Sequence, residues 1–385
     1  MNNVKTITAV STIRGFGYSS VWIYSSLYFH SILKIPYLED GLIFTIGGIF
    51  SAFVSLYGGS LGDRIGHKTT IVISLLVQSL TFAVITFFTG LALSPVYYPI
   101  AFIVIMSANA LQAPSINALV SLSSSVNLKG FSILRVGNNI GWGFGPAIGG
   151  FVISAVGYRY LLLFALICLI TSLLISLGIS RNYGSKVGAG LSYSRNKAVL
   201  ILSFVVFLVM MVQAQETVTL TNYAVSIRNI AVSDLGFIYL TNGLFVILLQ
   251  APIYVLTRRI GVFRSYWIGT FLYVFGFLSY GFDTSFLGLI ISTMVLTIGE
   301  DFSFPVGYSI ISDISKPENI GRNMGLYNAF MTFGRALGPS IGGLSFSITR
   351  NPLLLWLYTT LSGFVGLIIF IFAFKGRKSS IGKSI

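Results

Sequence analysis

The chain of 385 residues is 55% apolar and only 9% charged, whereas a soluble domain carries about 25% charged residues, so a water-soluble globule is excluded. Twelve helices of about 20 apolar residues, each crossing a hydrocarbon core of about 30 Å, use roughly 250 residues, and the remainder is too thinly spread to hold a soluble catalytic domain. The net charge of +14, from 24 Lys and Arg against 10 Asp and Glu, sits in short scattered segments, which excludes a basic nucleic-acid-binding module.

In chain order, apolar runs punctuated by Gly, Pro and charge clusters predict helices over 7–33, 41–62, 69–90, 97–122, 132–156, 160–180, 199–226, 234–257, 265–282, 286–311, 321–348 and 352–374. The longest polar interruption, 181–198, is a linker that separates an N-terminal half (1–180) from a C-terminal half (199–385), with six helices in each. If both termini are cytoplasmic, 17 Lys and Arg fall on the inner side and only Lys34, Arg159, Arg228 and Arg350 on the outer, while Arg14, Arg135 and Arg335 lie inside helices. That inside-positive bias sets the orientation. The first ten residues show one Lys and no small-residue cleavage pattern, so the first helix is expected to be retained. Cys168 is the single cysteine, which rules out an internal disulfide. His30 and His67 alone cannot build a metal site or a catalytic triad, and no cofactor is expected.

The two halves repeat each other. Gly141-Trp-Gly-Phe-Gly145-Pro146-Ala-Ile-Gly149-Gly150 returns 193 positions later as Gly334-Arg-Ala-Leu-Gly338-Pro339-Ser-Ile-Gly342-Gly343. A second register, offset by 191, lays Val104–Pro114 over Val295–Pro305 and sets Asn109 opposite Glu300. Arg64-Ile65-Gly66 returns as Arg259-Ile260-Gly261. Two pseudo-symmetric six-helix bundles of parallel topology are the economical reading.

The connection after the second predicted helix reads Gly59-Ser60-Leu61-Gly62-Asp63-Arg64-Ile65-Gly66-His67-Lys68. With the GPxxGG run, the six-plus-six layout and the middle linker, it resembles the signature loop of the major facilitator superfamily. The resemblance implies a twelve-helix transporter fold in which this loop latches the halves. Gly59 and Gly66 would permit close backbone approach, and Asp63 would accept from the N-terminus of the eleventh helix. Arg258 and Arg259 stand at the second-half counterpart of Asp63 and Arg64. Asp313 is a candidate partner there, although Arg258 and Arg259 snorkelling to headgroups is an equal reading. The glycines Gly141, Gly145 and Gly149, like Gly334, Gly338 and Gly342, recur every four residues and so share a helix face that allows close packing. Pro146 and Pro339 each remove a backbone donor. The first copy resembles the family's antiporter motif, and proton exchange and plain helix packing both remain open for it.

Charges inside the membrane identify the candidate site, because each costs at least ~2.5 kcal/mol at the bilayer centre and needs a reason. They fall at Arg14, Glu216, Glu300 and Asp301, on the first, seventh and tenth predicted helices, and at Arg135 and Arg335 on the fifth and eleventh. In the family, the first and fourth helices of each half line the cavity. The fourth offers Asn109 and Gln112, resembling a family motif in which an arginine stands at the Asn109 position. That arginine is linked in the family to proton coupling, so either coupling has moved to the second half, with Glu300, the repeat equivalent, as the candidate carrier, or the protein is not proton-driven. Adjacent Glu300 and Asp301 diverge by about 100° around a helix, so one of them faces elsewhere, with Arg335 as a possible partner for Asp301. Gln213 and Glu216 are assigned to the cavity, Arg14 to an anionic substrate or a carboxylate, and Arg135 to snorkelling.

The expectation is thus an all-α, multi-pass plasma-membrane protein, a monomer working by alternating access on a small molecule. Proton-coupled efflux of drug-like or amphipathic compounds is favoured over import of a sugar or carboxylate, and over an enzyme or sensor.

Overall fold

In the computed structural model, residues 2–89, 94–123, 127–180, 196–315 and 320–376 are described. Among them there is no strand. The first helices are α1 (Asn2–Ser31), α2 (Tyr37–Ile65), α3 (His67–Phe87), α4 (Ser94–Ser123), α5 (Asn127–Val156) and α6 (Tyr158–Leu177). The later ones are α7 (Lys197–Gln213), α8 (Thr219–Ser226), α9 (Val232–Ile260), α10 (Val262–Ser279), α11 (Phe286–Asp313), α12 (Ile320–Ile348) and α13 (Pro352–Phe374). The linker residues 181–195 lie outside the described residues.

Local chemistry sets the helix ends. Asn351 accepts from the Leu354 amide at 3.1 Å ahead of Pro352 in the first turn of α13, and Asn196 accepts from Ala198 at 3.0 Å at the start of α7. Pro36 precedes α2, and Glu39 and Asp40 occupy its first turn, where carboxylates complement the helix dipole. Three connections, α2 to α3, α5 to α6 and α9 to α10, each turn on one glycine: Gly66 (φ 95°, ψ 140°), Gly157 (φ 90°, ψ 173°) and Gly261 (φ 88°, ψ 151°). A residue with a Cβ is strained in that region. The repeated Arg-Ile-Gly run is thus a repeated corner.

Nine helices among the described residues, with α7 and α8 counted as one stretch, are long and apolar enough to cross a membrane. Their large apolar side chains point outward, for example Phe151 (70% exposed), Leu287 (66%) and Phe372 (75%), which suits lipid contact and would be a liability in water. α1, α10 and α12 fall outside that set. In α1 the reason is visible: Ser11, Ser19, Ser20, Ser25 and Ser26 are buried against other helices, because helix pairs in lipid associate through small and polar side chains.

By its contacts the chain divides into two units, Met1–Ala189 with Asn229–Gly243, and Gly190–Arg228 with Leu244–Ile385. In the first unit α1 packs on α5, α6 and α4, and α2 on α4. In the second, α7 packs on α12 and α13, and α10 on α11 and α13. Here Trp356 is fully buried against Tyr223 and Tyr280, with ring centroids 5.4 Å and 4.9 Å away.

Candidate functional site

In the first unit the glycines of α5 face α1. A Cβ on Gly141 would stand 2.7 Å from the Thr12 carbonyl oxygen and 3.0 Å from the Gly15 Cα, and one on Gly149 would stand 2.8 Å from the Ser20 carbonyl oxygen. Gly145 meets Ser19 and the Phe16 carbonyl in the same way. The Ser19 hydroxyl donates to the Gly141 carbonyl at 3.0 Å, and the Tyr24 hydroxyl donates to that of Pro146 at 2.8 Å. This close crossing brings the α5 backbone at Gly141 and Trp142 against α1 at Gly15.

Arg14 is half-buried, and its Nη1 donates to Oδ1 of Asn109 on α4. The Gln112 amide donates weakly to the same oxygen at 3.5 Å, while its own carbonyl oxygen is buried without a partner. Tyr18, one turn along α1 from Arg14, lies within hydrogen-bonding reach of Asn109. Its ring stacks on Trp22 at 5.6 Å and meets Trp142 edge-on at 5.9 Å. Arg14, Tyr18 and Trp22 recur every four residues and therefore form one stripe along α1.

In the second unit the equivalent crossing is α12 on α7. A Cβ on Gly338 would stand 2.6 Å from the Met211 carbonyl oxygen; Gly334 abuts Phe207 and Met210, and Gly342 abuts Gln215 and Thr219. The seventh predicted helix, expected to be continuous over 199–226, is instead broken after Gln213 by a 3-10 turn, Ala214–Glu216. The β-branched run Thr217-Val218-Thr219 is stiff there, and Gln215 takes over the backbone's hydrogen bonding. Its amide donates to the Met211 carbonyl at 2.8 Å and to the Gly338 carbonyl at 2.9 Å, and its oxygen accepts from Thr219 at 2.6 Å. Short 3-10 stretches inside a helix often mark functional hinges, and this one carries Glu216.

Glu216 lies within electrostatic reach of Glu300 on α11 and of Arg335 on α12. The Arg335 Nε donates to Gln213 Oε1 at 2.8 Å. Tyr273 on α10 faces the same group, and its buried hydroxyl has no hydrogen-bond partner. Glu300 is half-buried whereas Asp301 is only 6% exposed, as their angular separation on α11 requires. Gln213, Glu216, Glu300 and Arg335, all singled out in the sequence, therefore assemble from three helices.

The remaining predicted positions are more scattered. Arg64, Arg258, Arg259 and Asp313 are exposed at helix ends, and Gly66 forms the corner after α2. Gly59 lies within α2, and the Asp63 side chain lies outside what is described. Pro146 and Pro339 sit inside α5 and α12, which continue through them.

Sequence reasoning missed Asp40. It is fully buried, accepts from Ser26 through Oδ2, and keeps Oδ1 without a partner. The available signal was Pro36 followed by two carboxylates, which marks a helix start four residues earlier than predicted. Tyr18 and Tyr273 were also missed, because nothing distinguishes them from the other 18 tyrosines of the 20 until the helices are placed.

The profile of the Major Facilitator Superfamily matches residues 7–229 and 199–384. The chain belongs to the Major Facilitator Superfamily. It is therefore a membrane-embedded member of a transporter family that handles small molecules, as the loop at 59–68 implied. Two bacterial relatives of this superfamily match over most of their length. The uncharacterized transporter YhjO of Bacillus subtilis is 23% identical over 328 residues, 83% of this chain and 80% of that protein. The quinolone resistance protein NorA of Staphylococcus aureus is 26% identical over 346 residues, 86% of each. Among solved structures, the nucleoside transporter NupG superposes with a TM-score of 0.77 at 16% identity, covering 98% of this chain and all of that one. A POT-family transporter bound to 5-aminolevulinic acid gives 0.80 at 16% identity, covering 97% and 96%. At such identities these structures share the fold and carry no information on substrate.

Proposed function

We propose that this superfamily member is a proton-coupled exporter of drug-like or amphipathic compounds in the plasma membrane. Twelve membrane-spanning helices form two six-helix halves with both termini cytoplasmic, and the halves alternate access to the substrate. The observation that carries the reading is the group of Glu216, Glu300, Gln213 and Arg335, since intramembrane carboxylates are costly and mark proton or substrate pathways. Glu300 is the proton carrier. Glu216, on the 3-10 turn of the seventh span, couples protonation to movement of that span. The repeated glycine motif on α5 and the likeness to NorA support efflux. The loop at 59–68, with Asp63 and Arg64, and the second-half group of Arg258, Arg259 and Asp313 act as cytoplasmic gates.

The test is flux in liposomes with an imposed pH gradient, comparing a cationic dye with labelled sugars and carboxylates. Gradient-driven movement of the dye is expected, and Glu300→Gln is expected to abolish coupled proton movement. Gradient-insensitive flux of every compound refutes the coupling. Wild-type proton movement in Glu300→Gln transfers the role to Glu216 or Asp301.

A further inference from the structure

Arg14 stands in mid-helix, about 18 Å from the first residue of α1 at 1.5 Å per residue, and a charge at that depth requires a partner. The helices around it do not supply an anionic one: α1, α4, α5 and α6 contain no Asp or Glu. The acids of α2 stand at its two ends, Glu39 and Asp40 in its first turn and Asp63 in its last; Asp40 is engaged by Ser26, twelve residues and so roughly 18 Å further along α1 than Arg14. The groups that do face Arg14 are neutral. Asn109 accepts one of its N–H groups, Tyr18 lies beside it, and the Nε–H is buried with no partner. A guanidinium offers five donors in a planar fork matched to a carboxylate, so most of this fork is unused. Beside it stands the Tyr18 ring, which in turn meets the 40% exposed Trp142 edge-on, where the Gly15–Gly141 crossing brings α5 against α1. A cation at the end of a short run of aromatic rings suits a planar apolar body ending in an anion.

We propose that Arg14 and Asn109, with the rings of Tyr18 and Trp142, form a binding site for the carboxylate of an aromatic acid. The proposal rests on the transporter reading above and names the substrate class that this half recognises: amphipathic anions or zwitterions whose charged end is a carboxylate. Asn109 holds the guanidinium in place while leaving its charge uncompensated. The ligand's carboxylate takes the free edge of the fork in charge-assisted hydrogen bonds, and its ring lies along Tyr18 and Trp142.

The test is equilibrium dialysis of the full-length protein in lipid nanodiscs, without a pH gradient, against 2-naphthoate, its methyl ester and 2-naphthylmethylamine. The acid is expected to bind about tenfold or more tighter than the ester or the amine, the scale of one hydrogen bond to a charged group. Arg14→Gln should lose that preference, and Arg14→Lys should keep only part of it. Asn109→Asp, which places an internal carboxylate against the guanidinium, should lose acid binding while remaining folded. Equal affinity for acid and ester overturns the proposal, as does the absence of saturable acid binding in the wild type. Unchanged acid affinity in Asn109→Asp does the same. Because no gradient is used, a protein that fails the coupled-flux test can still pass this one, and a working proton-coupled exporter can still fail it.

Discussion

The crossing of α1 over α5 at Gly15 and Gly141 can be tested by adding a single methyl group. In Gly141→Ala the new Cβ would meet the Thr12 carbonyl oxygen at 2.7 Å, about 0.7 Å short of the 3.4 Å at which ordinary van der Waals contact begins, and the Gly15 Cα at 3.0 Å. Both obstacles are backbone, so no side chain can swing aside and the two helices must part. Forcing a methyl group into a close-packed contact costs about 1–3 kcal/mol. The better helix propensity of alanine returns at most about 1 kcal/mol, which leaves a net loss of roughly 0–2 kcal/mol when all of it is returned. The control is Gly143→Ala on the same helix, whose Cβ would meet nothing closer than 3.6 Å and should gain the propensity without the clash. Cys168 supplies the assay, since it is the single cysteine, is buried, and lies on α6 against Gly17 of α1. A thiol-reactive fluorophore therefore reports the loss of α1–α6 packing on heating. Gly141→Ala should label at a temperature a few degrees below wild type, and Gly143→Ala at or above it. If Gly141→Ala is as heat-stable as Gly143→Ala, the close-approach reasoning is wrong for both copies of the motif.

Gly66→Ala and Gly261→Ala should each destabilise by about 1–3 kcal/mol, because a Cβ is placed at φ 95° and 88°; the same thiol assay reads this, and neutral substitutions would refute the corner argument. Asp40→Asn keeps an acceptor for the Ser26 hydroxyl while removing a charge from a fully buried site, so it should be at least as stable as wild type, whereas Asp40→Ala should lose about 1–3 kcal/mol by removing this buried hydrogen bond. Asp283 lies in the connection after α10, and burial raises its pKa from 3.8 while the Ser292 hydroxyl bond at 2.6 Å opposes the shift. The folded state therefore holds this proton more tightly than the unfolded state. The stability it contributes is fully present below about pH 4 and is lost as pH rises through the raised value. Asp283→Asn should flatten that dependence in melts across the acid range, and an unchanged slope would place the effect elsewhere.

Much of the architecture was written in the chain's periodicities. Run length and composition placed the helices within a few residues, because a span must be apolar over about 20 residues whatever packs against it. The 193-residue repeat of the glycine run reads directly as the α1–α5 and α7–α12 crossings, since only a residue without a Cβ permits such approach. The scarcity of charge isolated Arg14, Glu216, Glu300 and Arg335 before any contact was known. What the sequence could not show was which neutral residues those charges would meet. That Arg14 ends on Asn109, 95 positions away, and that Arg335 ends on Gln213, 122 positions away, depends on how helices cross. The break before Glu216 was equally hidden. It contains no proline, and its cause is a glutamine side chain reaching the Gly338 carbonyl of another helix. The sequence by itself determined a membrane-embedded helical duplication with few internal charges, because hydration and steric exclusion act residue by residue. Only the tertiary structure decided the partners of those charges, because a hydrogen bond between helices depends on two distant faces meeting in register.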